Sequence, residues 1–355
     1  MYTTRDRLRP LILVVVSLAF WMPDLASAQS DKEAAIDNCL GLVRMCQLKD
    51  GAFRMKADGN PVWIRPYFGN YAAIALLSGK KAADRARVEA WLNWYAKAQL
   101  ADGSINDWEG GLDQGYMDNG QRDSVDSYAS TYLVAVERYQ RVARKLPKSI
   151  SEAAKRSFDA LLSVYDDGLT WDKQERRMKY LQDNVETYGG FVAAERLFAA
   201  LGDQATEKAA KEKKEAVAAK LMTYFRTPES LFAYVLHDNG TYQVHESNAN
   251  QRLAATGMAN LVGLAWISSR NPNPWSYVNR EFAPDGGNAP QAPVERWYLA
   301  SLHAGTKEEV GSWRQRTIAE ARSFRVNSVY VHRPAITALS LIEGTDWLPR
   351  LENDG

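Results

Sequence analysis

The chain has 355 residues with 44 Lys and Arg against 43 Asp and Glu, a formal net charge of +1. A near-neutral balance with interspersed signs excludes the basic footprint of a nucleic-acid binder and of a protein drawn by charge to anionic lipid. Cys39 and Cys46 are the only cysteines, and on one helix they would stand roughly 10 Å apart, which predicts buried thiols rather than a disulfide.

Residues 1–28 read as a secretory signal: a basic lead "MYTTRDRLRP", an apolar run "LILVVVSLAFWM", and small residues ending at Ala28 as a cleavage site. The run is short for a membrane crossing, and no later stretch approaches the roughly 20 apolar residues a spanning helix needs. A mature chain that is secreted or periplasmic, with no membrane association and a net charge near zero, is therefore expected. No Cys follows the cleavage site, so no lipid anchor is indicated.

Residues 29–355 contain no Pro, Gly or Ser linker and are expected to form one domain. A pattern repeats six times along them: a one-sided amphipathic helix, a loop rich in Gly, Asp and aromatics, then a helix that is more apolar all round. The first pair runs from about residue 31 to "YFGNYAAIALLSG", and the second joins "ADRARVEAWLNWYAKAQL" to "DSVDSYASTYLVAVERY". The third joins "SISEAAKRSFDALLSVY" to "DNVETYGGFVAAERLFAALGD", and the fourth joins the charged helix 204–225 to "NANQRLAATGMANLVGLAWI". "NPWSYVNREF" with "APVERWYLASLHAG", and "KEEVGSWRQRTIAEARSF" with "RPAITALSLIEG", complete the set.

A helix that is apolar nearly all round must be buried, whereas a one-sided helix sits at the surface. Six such alternations predict an all-α closed (α/α)6 barrel with six inner and six outer helices. All loops running from outer to inner helix then emerge on one rim, and every inner helix points its N-terminus there. Those loops, 48–65, 101–122, 166–182 and 226–246, are the long ones, the usual place for function. Short β-hairpins are expected in them, one turning at Asn239–Gly240. Trp91, Trp94 and Trp313 recur at helical spacing on outer helices and are expected to pack between the layers.

The acids on this rim come in pairs. Asp123 and Asp126 open the second inner helix, and Asp183 and Glu186 repeat the three-residue spacing at the third. Helix capping accounts for such residues by itself, but at this rim they also face a shared cleft. The preceding loops add Trp171 and Asp172, and Asp107, Trp108, Glu109, Asp113, Tyr116 and Asp118. Carboxylates interleaved with aromatics are sugar chemistry: rings stack on the apolar face of a pyranose, and acids bind hydroxyls or supply the acid and base that cleave a glycosidic bond. Mutual repulsion raises one pKa and keeps a proton donor protonated. Neighbouring inner helices about 8–10 Å apart suit the wider separation of an inverting pair.

His237, Asp238, His245 and Glu246 flank the predicted hairpin, but their spacing fits no zinc pattern and no metal is expected. With no phosphate loop, dinucleotide fingerprint or GxSxG elbow, no cofactor is expected either. The interleaved acids and aromatics predict a carbohydrate substrate as the partner.

"RDSVDSYASTYL", "YLQDNVETYGGF" and "NANQRLAATGMANLVGLAW" resemble motifs of bacterial proteins in the six-hairpin glycosidase superfamily, which share the (α/α)6 toroid. The resemblance implies a glycoside hydrolase acting on a bacterial polysaccharide or oligosaccharide. It places Asp126 and Glu186 first as catalytic carboxylates, with Asp123 and Asp183 tuning them or binding sugar hydroxyls. Trp63, Tyr67, Trp108, Tyr128 and Trp171 are the expected stacking residues. One departure stands out: relatives often open the fourth inner helix with Pro-Asp, and this chain has Ser247-Asn248. Two other readings stay open, the second of them because of that departure. One is a polysaccharide lyase drawing on Tyr116, Tyr128, His245, Arg122 and Arg252; the other is a non-catalytic glycan-binding protein of exopolysaccharide secretion.

Overall fold

The computed structural model describes residues 29–351 except 112, 228, 268–272 and 283–292. The signal expected at residues 1–28 lies outside the described residues.

Twelve helices fall into six hairpins among the described residues. The outer helices are α1 (residues 29–45), α3 (Ala82–Ala98), α5 (Lys148–Ser163), α7 (Gln204–Tyr224), α9 (Asn273–Phe282) and α11 (Lys307–Ser323). The inner ones are α2 (Pro66–Ser78), α4 (Asp126–Ala143), α6 (Leu181–Leu201), α8, α10 (Val294–Ala304) and α12 (His332–Glu343). Helix α8 is a continuous rod of Ala249–Arg252, a π turn Leu253–Gly257, and Met258–Trp266. Each inner helix touches the next in the order α2, α4, α6, α8, α10, α12, and α12 returns to α2, so the ring closes. This is the (α/α)6 toroid.

Sequence explains which helices go inside. In α6, Leu181, Val185, Phe191, Val192, Leu197 and Phe198 are buried on every side, whereas α7 is studded with Lys and Glu and buries only a stripe such as Ala210, Val217 and Leu221. Inner helices approach closely where a side chain is missing: a Cβ on Gly190 of α6 would lie 2.7 Å from the Ser130 Cα of α4. Indoles fill the space between layers, with Trp91 stacked on Trp94 at 5.1 Å and Trp313 on Trp297 at 4.9 Å. Cys39 and Cys46 are buried and unbridged.

Caps set the ends of the short return turns. Asp203 accepts the Thr206 N–H at the start of α7, and Thr306 with Glu309 forms a reciprocal capping box on α11. The outer-to-inner loops are longer and carry three small antiparallel sheets. Strands β1 (Val62–Ile64), β2 (Trp108–Gly111) and β3 (Gly115–Asp118) form one; β4 (Tyr165–Asp166) and β5 (Leu169–Thr170) form the second. The third joins β6 (Met178–Tyr180), β7 (Val235–His237) and β8 (Tyr242–Gln243), with Gly240 in the turn at φ 80°. The first and third sheets tie neighbouring rim loops to each other, which fixes the walls of the mouth.

Candidate active site

The rim surrounds a cavity of about 850 Å³, walled by α2, the start of α4, the β6 and β7–β8 loops, the first turn of α6 and the N-terminal half of α8. Asp123, Asp183 and Glu246 bring carboxyls to its wall, together with Arg176, Gln182, Tyr67, Tyr128 and Tyr180.

The two acid pairs divide between the wall and the layer behind it. Helix α4 starts at Asp126, so Asp123 is not its cap; it stands on the preceding loop, exposed, 3.6 Å from the Arg176 guanidinium. Asp126 is 0 % exposed and does not line the cavity. Its carboxylate accepts the Ser127 N–H at 2.8 Å and the Thr170 hydroxyl at 2.9 Å. Asp183, in the first turn of α6, faces the cavity. Glu186 lies one turn deeper, 2 % exposed, with one oxygen accepting from Tyr67 at 2.7 Å and from Tyr71, and the other oxygen without a partner.

Burial raises the Asp183 carboxyl well above the usual range, and the charges of Asp126, Glu186 and Asp123 reinforce it. The same burial raises Asp126 and Glu186, opposed by their hydrogen bonds. The Ser127 hydroxyl, short of a full hydrogen bond, lies against Asp183 and Glu186 and partly offsets their rise. Glu246 is different. The Asn248 N–H at 2.9 Å and the Tyr234 hydroxyl at 3.0 Å both donate to it, and its carboxyl is lowered. Two carboxyls whose surroundings push their proton affinities in opposite directions thus share a cavity, the kind of contrast that acid–base chemistry uses.

Tyr67 and Tyr128 form a parallel aromatic shelf in the wall, 5.9 Å apart with 13° between planes. Each hydroxyl is anchored on an acid: Tyr67 on Glu186, and Tyr128 on Asp107 at 2.9 Å. Burial raises Asp107, while the Tyr128 bond and the Arg65 charge at 3.6 Å restrain it.

The other expected stacking residues lie elsewhere. Trp63 is on the outer face of β1; Trp108 packs edge-on against Trp94 and Tyr116; Trp171 is buried with the Lys179 ammonium 4.2 Å over its ring. None of the three lines the cavity. Of the groups considered for elimination chemistry, only Tyr128 lines it, with its hydroxyl committed to Asp107, while His245 is turned to Tyr277 at 3.2 Å. Among the described residues no cluster of three or more His, Cys, Asp and Glu is arranged to hold a metal.

Sequence reasoning weighed Glu246 only as a metal ligand and missed Arg176. Glu246 directly precedes Ser247 and Asn248 at the mouth of the fourth inner helix, so an acid does stand there, two residues before the position that matches the Asp of Pro-Asp. Arg176 bonds Asp172 at the base of the loop and the Asp123 carbonyl oxygen at 3.2 Å, and only the folded loop reveals that.

Fold and site together define a six-hairpin (α/α)6 toroid with an acidic, aromatic cavity at one mouth. No family model matches the sequence, and no curated protein matches it. Solved structures do match in fold. An alpha-amylase from Clostridium perfringens superposes with a TM-score of 0.59 at 10% identity, covering 87% of this chain and 96% of that one. The endoglucanase Cel10, a family 8 glycosyl hydrolase from Klebsiella pneumoniae, gives 0.54 at 10% identity over 87% and 99%. A GH76A alpha-1,6-mannanase from Salegentibacter sp. HEL1_6 gives 0.52 at 10% identity over 89% and 99%.

Proposed function

We propose that the protein is a glycoside hydrolase acting outside the cytoplasm on a polysaccharide or its oligosaccharides. The observation that carries this reading is that two carboxyls in unlike surroundings, Asp183 and Glu246, line one cavity beside the Tyr67 and Tyr128 rings. Asp183 donates its proton to the departing glycosidic oxygen, and Glu246 takes a proton from the water that attacks the anomeric carbon. Asp123 binds sugar hydroxyls beside Asp183, and the Tyr67–Tyr128 shelf receives the apolar face of a ring. Asp126 and Glu186, which the motifs alone put first, act from behind the wall: carboxyls this close disfavour one another's ionisation, which helps Asp183 keep its proton, and Glu186 fixes the shelf. The activities in the names of the fold relatives support the same chemistry. Attack by water in a single displacement, with inversion at the anomeric carbon, is the stereochemistry we expect, and proton NMR of the first-formed anomer tests it.

Release of reducing ends from barley β-glucan, yeast mannan and soluble starch tests the assignment. Asp183→Asn and Glu246→Gln should each lower turnover by roughly 10²- to 10⁴-fold with the fold intact, the usual worth of a positioned proton donor or acceptor. Turnover that persists in both would reject these roles. An unsaturated, ultraviolet-absorbing product would mean elimination instead.

A further inference from the structure

A second hollow, about 440 Å³, opens on the same rim between the α1–α2 loop and the α11–α12 loop, lined by Lys56, Asp58, Asn60, Trp63 and Asn327 among others. Both loops run from outer to inner helix, so this hollow and the acidic cavity face the same way. Strand β1 alternates strictly: Val62 and Ile64 are fully buried, and Trp63 between them is 43 % exposed. In register across the sheet, Trp63 pairs with Glu109 and Glu109 with Met117, so the three share the outer face. The Trp63 indole N–H donates to Glu109 Oε1 at 3.0 Å, which pins the ring. With Met117, 68 % exposed, on the same sheet face, the fixed ring makes an exposed apolar surface rimmed by polar side chains, the character of a ligand groove. Beside it, Asp58 and Asn327 bond each other reciprocally, the Asp58 N–H reaching the Asn327 Oδ1 at 3.2 Å.

A series of packed rings lies between the hollow and the wall of the cavity. Lys56 sits 4.9 Å over the Tyr330 ring, and from there the rings touch in series: Tyr330 on His332 at 6.3 Å, His332 on Phe68 at 4.1 Å, Phe68 on Tyr67 at 5.1 Å, and Tyr67 on Tyr128. Burial and the charges of Arg333 and Arg296 push His332 down to about 3, so the ring in mid-path is neutral.

We propose that the Trp63 hollow is a distal binding site for a neutral pyranose unit of the same glycan whose scissile bond occupies the acidic cavity. Stacking on Trp63 supplies the contact, and the Asn60 and Asn327 amides supply partners for the ring hydroxyls. The inference rests on the glycosidase reading and adds that the preferred substrate is a chain long enough to span both sites. The test compares wild type, Trp63→Ala and Trp63→Phe on the polysaccharide that is cleaved and on the shortest oligosaccharide that is cleaved, with affinity electrophoresis through gels containing barley β-glucan, yeast mannan or soluble starch. Trp63→Ala should raise KM for the polymer by about five- to tenfold, as the loss of one aromatic face predicts. It should leave kcat and the short substrate unchanged, and Trp63→Phe should recover most of the affinity. Equal losses on both substrates, or no change on either, would overturn the distal site while leaving the catalytic assignment standing. Should no glycan be hydrolysed, gel retardation that is lost in Trp63→Ala still upholds it, and retardation unchanged or absent from wild type overturns it.

Discussion

Burial as deep as that of the Asp126 carboxyl disfavours its ionised form. In an unfolded chain an aspartate ionises near pH 4. In the fold, burial first, then the charges of Asp172 and Glu186, outweigh the bonds from Thr170 and Ser127 and raise the group to about 8. The folded state therefore binds the proton more tightly than the unfolded state. Stability from this group is fully present below about pH 4 and drains away as pH rises toward about 8. Asp126→Asn mimics the protonated form and should flatten that decline, with denaturant midpoints at about pH 5 and about pH 8 lying closer together than in wild type. An equal fall in both proteins would show the carboxyl to be ionised in the fold. Because Asp126, Asp183 and Glu186 repel one another, the titration seen will belong to the cluster rather than to one residue.

At the level of elements, the contact between α4 and α6 sets how near the two acid-bearing helix ends can stand. Gly190→Ala drives a methyl against the Ser130 backbone, which cannot swing aside as a side chain could. A loss of about 1–3 kcal/mol in unfolding free energy is expected from such overpacking, measured by urea denaturation, and a loss below the experimental error would show that the helices can part. The identity of these helices was legible in the sequence because periodicity reports burial: α6 reads apolar on all sides and α7 does not, and Asn239–Gly240 could scarcely be anything but a turn. Which acids face the cavity was not legible. Equal spacing in Asp123/Asp126 and Asp183/Glu186 hides unequal geometry, since Asp123 is outside its helix whereas Asp183 is inside. One helical turn, about 5 Å, is enough to carry Glu186 from the mouth into the layer of Tyr67 and Tyr71. Exposed Trp63 and buried Trp171 look alike in sequence too, because a rim loop gives no periodicity from which to read burial.

For the whole molecule, closure of the ring makes distant segments neighbours. Arg138 of α4 grips Glu343 of α12 through two bonds of 2.9 and 2.8 Å and reaches the Ser78 hydroxyl of α2 at 3.2 Å, so one guanidinium joins three inner helices at the mouth opposite the active site. Burial alone would push Glu343 up, but the bonds and charge of Arg138 prevail, and its carboxyl is lowered. This contribution is present above the ordinary glutamate value and fades as pH falls through the folded one. Arg138→Ala should cost on the order of 2–3 kcal/mol near neutral pH, between an exposed and a fully buried pair, with fluorescence and circular dichroism still reporting one transition. Two separated transitions would mean that the hairpins unfold independently. On the other mouth, the π turn of α8 has its own consequence. Its widened coil presents Ala254 and Ala255 to the acidic cavity, so on that flank main chain and bare methyl groups, not long side chains, set the breadth of the trough. The flank is thus a place where evolution or design can trade residue size for substrate shape, leaving the proton-handling groups untouched.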